Sequence, residues 1–266
     1  MTTCIAVHGA LGRMGKAVIR ALATTDGVRL VAAIERPGHP DVGRDAGSLA
    51  GVEPMDVLVS SALGSALDQA DVVIDFSLPQ SSTGLLRAAA TAGTSVVVGT
   101  TGGSEEWEAA LAQVATKAPV VAAANFSPGV AVLLDIAKQA TSLLGEAYDA
   151  EIVEMHHRHK VDSPSGTARR LAEAVAASKG LGQDAWVHGR EGQVGRRGHD
   201  EIGVLSLRGG GVIGDHTLIL ASSDESIEIT HRARSRDVFA GGAVRAALWV
   251  VSKPAGVYGI KDVLSG

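Results

Sequence analysis

A short β-branched apolar run, Thr3 to Val7 (TCIAV), leads directly into His8-Gly9-Ala10-Leu11-Gly12-Arg13-Met14-Gly15 and then into a helix-period segment, KAVIRALATT. Strand, glycine turn and helix in that order open a sheet of parallel strands joined by helices, and this is the order a dinucleotide site requires. Gly9 permits the tight turn, Gly12 lets backbone approach a pyrophosphate, and Gly15 allows close packing of helix on strand. The spacing is GxxGxxG rather than GxGxxG, so the motif depends on its context. The second strand, Val28 to Ile34, supplies that context by ending in Glu35-Arg36, about 20 residues beyond the last glycine, where a ribose-reading acid belongs. Glu35 can accept from both hydroxyls of an adenosine ribose, and Arg36 offers a guanidinium to a 2′-phosphate. The pair predicts use of NADH or NADPH, although a strand end that simply turns polar has the same letters.

Alternation continues through Val72 to Asp75, a helix from Gln80 to Ala92, Ser95 to Val98, a helix from Glu105 to Ala115, and Val120 to Ala123. This punctuation predicts a Rossmann-like, doubly wound parallel sheet of the α/β class. Three loops fall at the carboxyl ends of its strands, where ligands of such sheets bind. They are Asp75-Phe76-Ser77, Gly99-Thr100-Thr101-Gly102 and Ala124-Asn125-Phe126-Ser127. Small and hydroxyl-bearing residues there let backbone reach a flat nicotinamide ring. The stretch Pro37 to Val52 has too much glycine and proline for a regular element. Cys4, alone in the chain, rules out a disulfide framework and reads as a small buried hydrophobe.

The second half is organised around Glu154 to Ala168, EMHHRHKVDSPSGTA. Gathering His156, His157, Arg158, His159 and Lys160 against an apolar strand, Ala150 to Met155, is costly unless the charges are paired or used. Ser165-Gly166-Thr167 follows Pro164 and precedes an amphipathic helix, so its amides form an anion site at a helix N-terminus. A solvated basic loop is the competing explanation. A metal site is disfavoured, because neighbouring strand residues point to opposite faces and no cysteine lies nearby. With 24 basic against 29 acidic residues and 3% aromatics, the chain offers nucleic acid no global attraction. No apolar run is long enough to span a membrane, so a cytoplasmic protein is expected.

Pro128-Gly129 breaks the periodic pattern and marks a hinge before a long apolar helix, Val130 to Leu144. Strand-like runs at Ala150 to Met155, Val204 to Leu207, His216 to Ala221 and Ser226 to His231 have few helices between them. They predict a smaller α+β domain with an open mixed sheet, one face of which needs an oligomer partner. Gly189 to Gly203 reads as a surface loop or lid. The expected domains are 1–126, completed by 237–266, for the dinucleotide, and 127–236 for substrate binding and oligomerisation. On an extended backbone His156, Arg158 and Lys160 share one face, so acid and cation align if the strand runs on through Lys160.

GALGRMG after the first strand together with EMHHRHKVDSPSGTA at mid-chain resembles the dihydrodipicolinate reductase family of lysine and diaminopimelate biosynthesis. The likeness spans nearly the whole chain. Its further landmarks are Glu35-Arg36, Gly99-Thr100-Thr101-Gly102, Ala123 to Ser127, Glu228-Ile229-Thr230-His231, and the Phe239-Ala240-Gly241-Gly242-Ala243 to Trp249 helix. Departures are Ser163, where the family often has alanine, and Pro128 after Asn-Phe-Ser. The resemblance implies a homotetramer that reduces the cyclic dicarboxylate 4-hydroxy-tetrahydrodipicolinate to tetrahydrodipicolinate with NADH or NADPH. It also implies His156 as acid/base residue and Lys160 as second proton donor or substrate-orienting cation, with His157, Gly166 and Thr167 holding a substrate carboxylate. Cofactor contacts implied in the same way are Gly9, Ala10, Leu11, Gly12, Arg13, Met14, Glu35, Arg36, Gly99, Thr100, Thr101, Ala123, Ala124, Asn125 and Phe126. No metal is implied. An NAD(P)-dependent dehydrogenase of another small dicarboxylic or amino acid is the alternative enzyme class.

Overall fold

The computed structural model describes residues 2–100 and 103–266. The chain divides into two compact units, Met1–Pro128 with Arg236–Gly266, and Gly129–Ser235. In chain order the first runs β1 (Thr3–His8), α1 (Arg13–Ala23), β2 (Val28–Ile34), α2 (Ala46–Ala50), β3 (Val59–Ser60), α3 (Leu63–Leu67), β4 (Val72–Asp75), α4 (Pro79–Ala92), β5 (Ser95–Val98), α5 (Glu105–Ala115) and β6 (Pro119–Ala122). Helix α6 (Pro128–Leu144) leads into the second unit, which holds β7 (Asp149–His156), α7 (Gly166–Lys179), β8 (Trp186–Val187), β9 (Ile202–Arg208), β10 (Gly214–Ala221) and β11 (Ser226–Ala233). The chain then returns to the first unit with α8 (Asp237–Val250), β12 (Gly256–Tyr258) and α9 (Ile260–Ser265).

Among the described residues, the strands of the first unit form one parallel sheet in the order β12-β6-β5-β4-β1-β2-β3. Alternation along β1 sends Ile5 and Val7 to the side packed by α1 and α8, and Ala6 to the side packed by α4 and α5. Helices on both faces explain why the strands read as unbroken apolar runs. Strand order reverses between β1 and β4, the point at which such sheets open a ligand crevice.

In the second unit the order is β11-β10-β7-β9-β8, antiparallel across β11, β10 and β7 and parallel across β7, β9 and β8. This is the mixed sheet expected from the run of strands. Ala150, Ile152, Val204, Leu218 and Leu220 pack against Leu133 and Ala137 of α6 and Leu171 and Val175 of α7. On the opposite face Val153, Met155, Leu205 and Ile219 are only half-buried and Leu207 is exposed.

Several local expectations change. The glycine-rich stretch 37–52 contains the short helix α2, because the Asp45 carboxylate accepts from the Ser48 amide at 2.7 Å and also from Met55 and Val57. Helix α6 starts at Pro128 rather than Val130, since the missing N–H of a first helical residue has no intrahelical partner to lose. Cys4 is half-buried rather than buried and accepts from Arg29 Nη2 at 3.3 Å. The loop after β8 is strapped to β7: Arg190 and Arg197 both pair with Glu151, and Arg197 also pairs with Asp149. Thr101 and Gly102 lie outside the described residues.

Helix α8 approaches the end of β6 so closely that a Cβ on Gly242 would overlap the Phe126 carbonyl oxygen. Gly242→Ala should therefore lower unfolding stability by about 1 to 3 kcal/mol, as overpacking in a core does. Urea denaturation measures it, and an unchanged midpoint would show that α8 can retreat.

Candidate active site

The first site residues lie at the carboxyl edge of the parallel sheet. Gly9 adopts φ 74°, and a Cβ there would stand 2.8 Å from the Phe76 carbonyl oxygen. A Cβ on Gly15 would overlap the Gly9 carbonyl, so this glycine seats α1 against the turn itself rather than against the strand. The amides of Gly9 and Ala10 both donate to the Ile34 carbonyl at 3.0 Å, and Gly12 donates to Gly9 at 3.1 Å. Helix α1 begins after Gly12 with no side-chain cap and no acid in its first turn. Its first amides, at Arg13 and Met14, thus form the positive end of an uncapped helix.

Glu35 closes the turn from the other side. Its carboxylate accepts from the Leu11 amide at 3.1 Å and from the Arg36 amide at 3.0 Å, while the Arg36 side chain is exposed. Gly99 and Thr100 follow β5, and a Cβ on Gly99 would collide with the Phe76 ring. Ala123, Ala124 and Asn125 follow β6, where the Asn125 side chain accepts from the Ser127 amide at 2.8 Å. Phe126 is placed differently from a ligand-facing residue. Its ring is fully buried and meets Phe76 edge-on at 5.8 Å, so only its backbone is offered to a ligand.

In the second unit β7 alternates strictly, which puts Glu154 and His156 on the same buried face. Glu154 is completely buried. Its carboxylate accepts from His156 Nδ1 at 2.6 Å, from Arg208 Nη1 and Nη2 at 2.9 and 3.0 Å, and from the Ser165 amide at 3.1 Å. Burial works against charge on this group, yet the bonds from His156 and Arg208 hold its pKa at about 2. One carboxylate thereby ties the end of β7 to the end of β9 and to the start of α7.

Ser165 caps α7, accepting from the Ala168 amide at 3.2 Å, and its hydroxyl meets His216 Nε2 at 2.9 Å. The His216 ring stands edge-on to His156 at 5.2 Å. Burial, with His156 acting in the same direction, pushes the His216 imidazole down to about 3. Gly166 and Thr167 form the first turn of α7, and Gly166 has open space where a Cβ would be.

The strand does not run on through Lys160. It stops at His156, and the Lys160 amide donates to the His157 carbonyl at 3.1 Å, closing a turn. The pattern that would align His156 and Lys160 on one strand face therefore does not apply. The Lys160 ammonium instead pairs with both Asp162 oxygens at 2.8 and 2.9 Å. His157 and His159 face each other at 6.2 Å. The structure thus gathers His156, His157, Lys160, Gly166 and Thr167 in one segment of the second unit. It adds four residues that spacing did not single out: Glu154, Asp162, Arg208 and His216. Glu154 was open to a period-two reading from His156, whereas Arg208 and His216 arrive on β9 and β10 through register alone.

Comparison with known proteins decides the family. The model described as dihydrodipicolinate reductase, N-terminus, matches residues 3–126, and the one described as dihydrodipicolinate reductase, C-terminus, matches residues 129–264. The chain belongs to the dihydrodipicolinate reductase family. A relative in Alkalilimnicola ehrlichii, named 4-hydroxy-tetrahydrodipicolinate reductase, is 50% identical, covering 99% of both chains. One of the same name in Anaeromyxobacter dehalogenans is 47% identical, covering 98% of this chain and 97% of that one. The solved dipicolinate-bound dihydrodipicolinate reductase of Paenisporosarcina sp. TG-14 has the same fold, with a TM-score of 0.77 at 23% identity, covering 97% of this chain and 98% of that one. The N-terminal match falls on the glycine turn and its edge loops, and the C-terminal match on the Glu154 cluster.

The turn residues fit the dinucleotide such a reductase uses. A Cβ on Gly12 would stand 3.2 Å from Gly9 oxygen at the mouth of the uncapped helix, in the space a phosphate needs.

Because His216 is held neutral, the unfolded chain gains a proton below about pH 6.5 that the folded chain refuses until about 3. Stability should fall as pH drops through that window. His216→Gln, which keeps a group able to meet Ser165, should flatten the decline in urea titrations between those limits. An unaltered slope would assign the acid sensitivity elsewhere.

Proposed function

We infer that this chain reduces 4-hydroxy-tetrahydrodipicolinate to tetrahydrodipicolinate in lysine and diaminopimelate biosynthesis, taking NADH or NADPH as donor. The observation that carries the site reading is the buried Glu154 carboxylate bonded to both His156 and the start of α7, which holds a proton donor beside an anion-binding helix end. The bound nicotinamide supplies hydride. Reduction of a conjugated ring leaves electron density that must take up a proton, which is work for a positioned acid.

His156 is suited to that role. Its Nδ1 is engaged by an ionised carboxylate and therefore carries hydrogen, leaving Nε2 as the atom that gives up the transferable proton. Nε2 faces Gly214, where a Cβ would stand 3.0 Å away, so a side chain there would crowd the donor. The substrate's carboxylates need cationic partners. The Gly166 and Thr167 amides with His157 serve one, and the Lys160 ammonium, exchanged from Asp162, serves the other or acts as second proton donor. In the first unit Gly9, Ala10, Leu11, Gly12, Arg13 and Met14 would hold the pyrophosphate, chiefly through the Arg13 and Met14 amides at the uncapped start of α1. Glu35 and Arg36 read the adenosine ribose. Gly99, Thr100, Ala123, Ala124, Asn125 and the Phe126 backbone would line the nicotinamide side.

The first unit is accordingly the dinucleotide domain and the second the substrate and assembly domain. The half-buried apolar face of Val153, Met155, Leu205 and Ile219 supports assembly as a homotetramer, since such a face is stable when covered. No helix among the described residues is long and apolar enough to cross a membrane. We place the enzyme in the cytoplasm, where its cofactors and a small biosynthetic substrate are found.

Adding the freshly formed aldol product of aspartate semialdehyde and pyruvate should oxidise NADH or NADPH, with pyridine-2,6-dicarboxylate inhibiting. Silence with both cofactors would defeat the assignment. His156→Gln should lower kcat by roughly 10²-fold or more, and a loss below about threefold would remove His156 from the chemistry. Arg36→Ala should weaken NADPH more than NADH, and equal weakening would show that the guanidinium does not meet the 2′-phosphate.

A further inference from the structure

His8 ends β1 where the glycine turn begins, after three fully buried apolar residues, Ile5, Ala6 and Val7. The residue is only 6% exposed. Nδ1 meets Asp75 Oδ1 at 2.9 Å and Nε2 meets Ser81 Oγ at 3.0 Å. Asp75 lies opposite His8 in register at the end of β4 and is completely buried. It also accepts from the Ser77 amide and the Thr100 hydroxyl, both at 3.0 Å. Above the imidazole opens a cavity of about 220 Å³, lined by His8, Gly9, Gly12, Glu35, Arg36 and Ser81 among others.

Two consequences follow from the chemistry of that chain of bonds. With a neutral imidazole, the His8–Asp75 pair carries one buried negative charge beside a turn shaped to receive an anion. Protonating His8 cancels that charge. The Ser81 hydroxyl changes role in the same step. A neutral ring that gives its Nδ1 hydrogen to Asp75 has a lone pair at Nε2, which takes the Ser81 O–H. A protonated ring donates from Nε2 to Ser81 Oγ, and the hydroxyl hydrogen is then free to point into the cavity.

We propose that His8 is a positioning residue for the dinucleotide: it takes up a proton as the pyrophosphate binds and so turns the Ser81 hydroxyl into a donor towards the cofactor. The proposal rests on the cofactor reading above. Its direction is set by linkage: binding that takes up a proton strengthens as pH falls and weakens as pH rises. The charged groups around the ring and its cavity are Asp75 from β4 and Glu35 and Arg36 from the end of β2. From α4 and β5 come the uncharged Ser81 and Thr100. Comparison with a variant lacking only the imidazole removes the contributions of the rest.

NADH is the probe, because it lacks the 2′-phosphate, which itself titrates. Its dissociation constant for the full-length protein is measured by nicotinamide fluorescence from about pH 6 to about 8.5, the range in which histidine switches. We expect binding to weaken by about threefold or more across that range, and His8→Ala to bind with no such slope. A flat wild-type profile, or an unchanged slope in His8→Ala, overturns the proposal. If His8→Ala does not fold, Ser81→Ala decides. At this exposed position, it should weaken NADH by about threefold near pH 6 and leave it unchanged near pH 8.5, where the hydroxyl is turned to His8. Equal effects at both ends overturn the proposal. Failure of the wild-type protein to bind NADH at any pH would instead defeat the cofactor reading itself.

Discussion

Glu154 carries a charge that solvent does not reach, and it is tolerable only because four hydrogen-bond donors converge on two oxygens. Removing one partner of such a buried group typically costs about 3 to 5 kcal/mol, since the charge left behind has no water to turn to. The same need for complete satisfaction makes it a fixed point. Histidine, arginine and helix amide come from three elements, and each is held where the carboxylate requires it. The arrangement of His156, Arg208 and the start of α7 is therefore a by-product of solving a desolvation problem.

The first unit repeats the device with different elements. Asp75, also wholly buried at the carboxyl end of a strand, accepts from His8, the Ser77 amide and Thr100. Burial opposes its charge, but His8 above all, with Ser77, keeps its pKa below the ordinary carboxylate value. In both units an acid at a strand end orients a histidine through Nδ1 and leaves Nε2 for another partner. The environments differ in what surrounds that second nitrogen. Around His156 lie an arginine, a second histidine and a helix end, whereas His8 meets a serine at the rim of a cavity.

Much of this was readable from letters alone because its causes are local. The strand-turn-helix at Thr3 to Ala23 follows from glycine spacing and side-chain period, and β2, β4, β5 and α5 fall on the boundaries their patterns predict. The mixed sheet follows from strands with few helices between them. Short elements resisted: α2 depends on Asp45 reaching amides ten and twelve residues away, and β3 and β12 are too brief to show a period.

The candidate site divides along the same line. Residue types and spacing marked out the glycine turn, Glu35-Arg36, the histidine-lysine stretch and the helix start at Ser165-Gly166-Thr167, because each is a contiguous segment whose chemistry is visible in its own neighbours. The end of β7 at His156, the pairing of Lys160 with Asp162, and the arrival of Arg208 and His216 beside His156 came from the folded chain. Arg208 and His216 arrive across sheet register, up to 62 positions away between Glu154 and His216, and no local pattern records which strand will lie beside which. Phe126 and Cys4 make the same point in reverse. A loop letter and a strand letter do not say how deeply a side chain is buried, since burial is set by what packs over it from elsewhere in the chain.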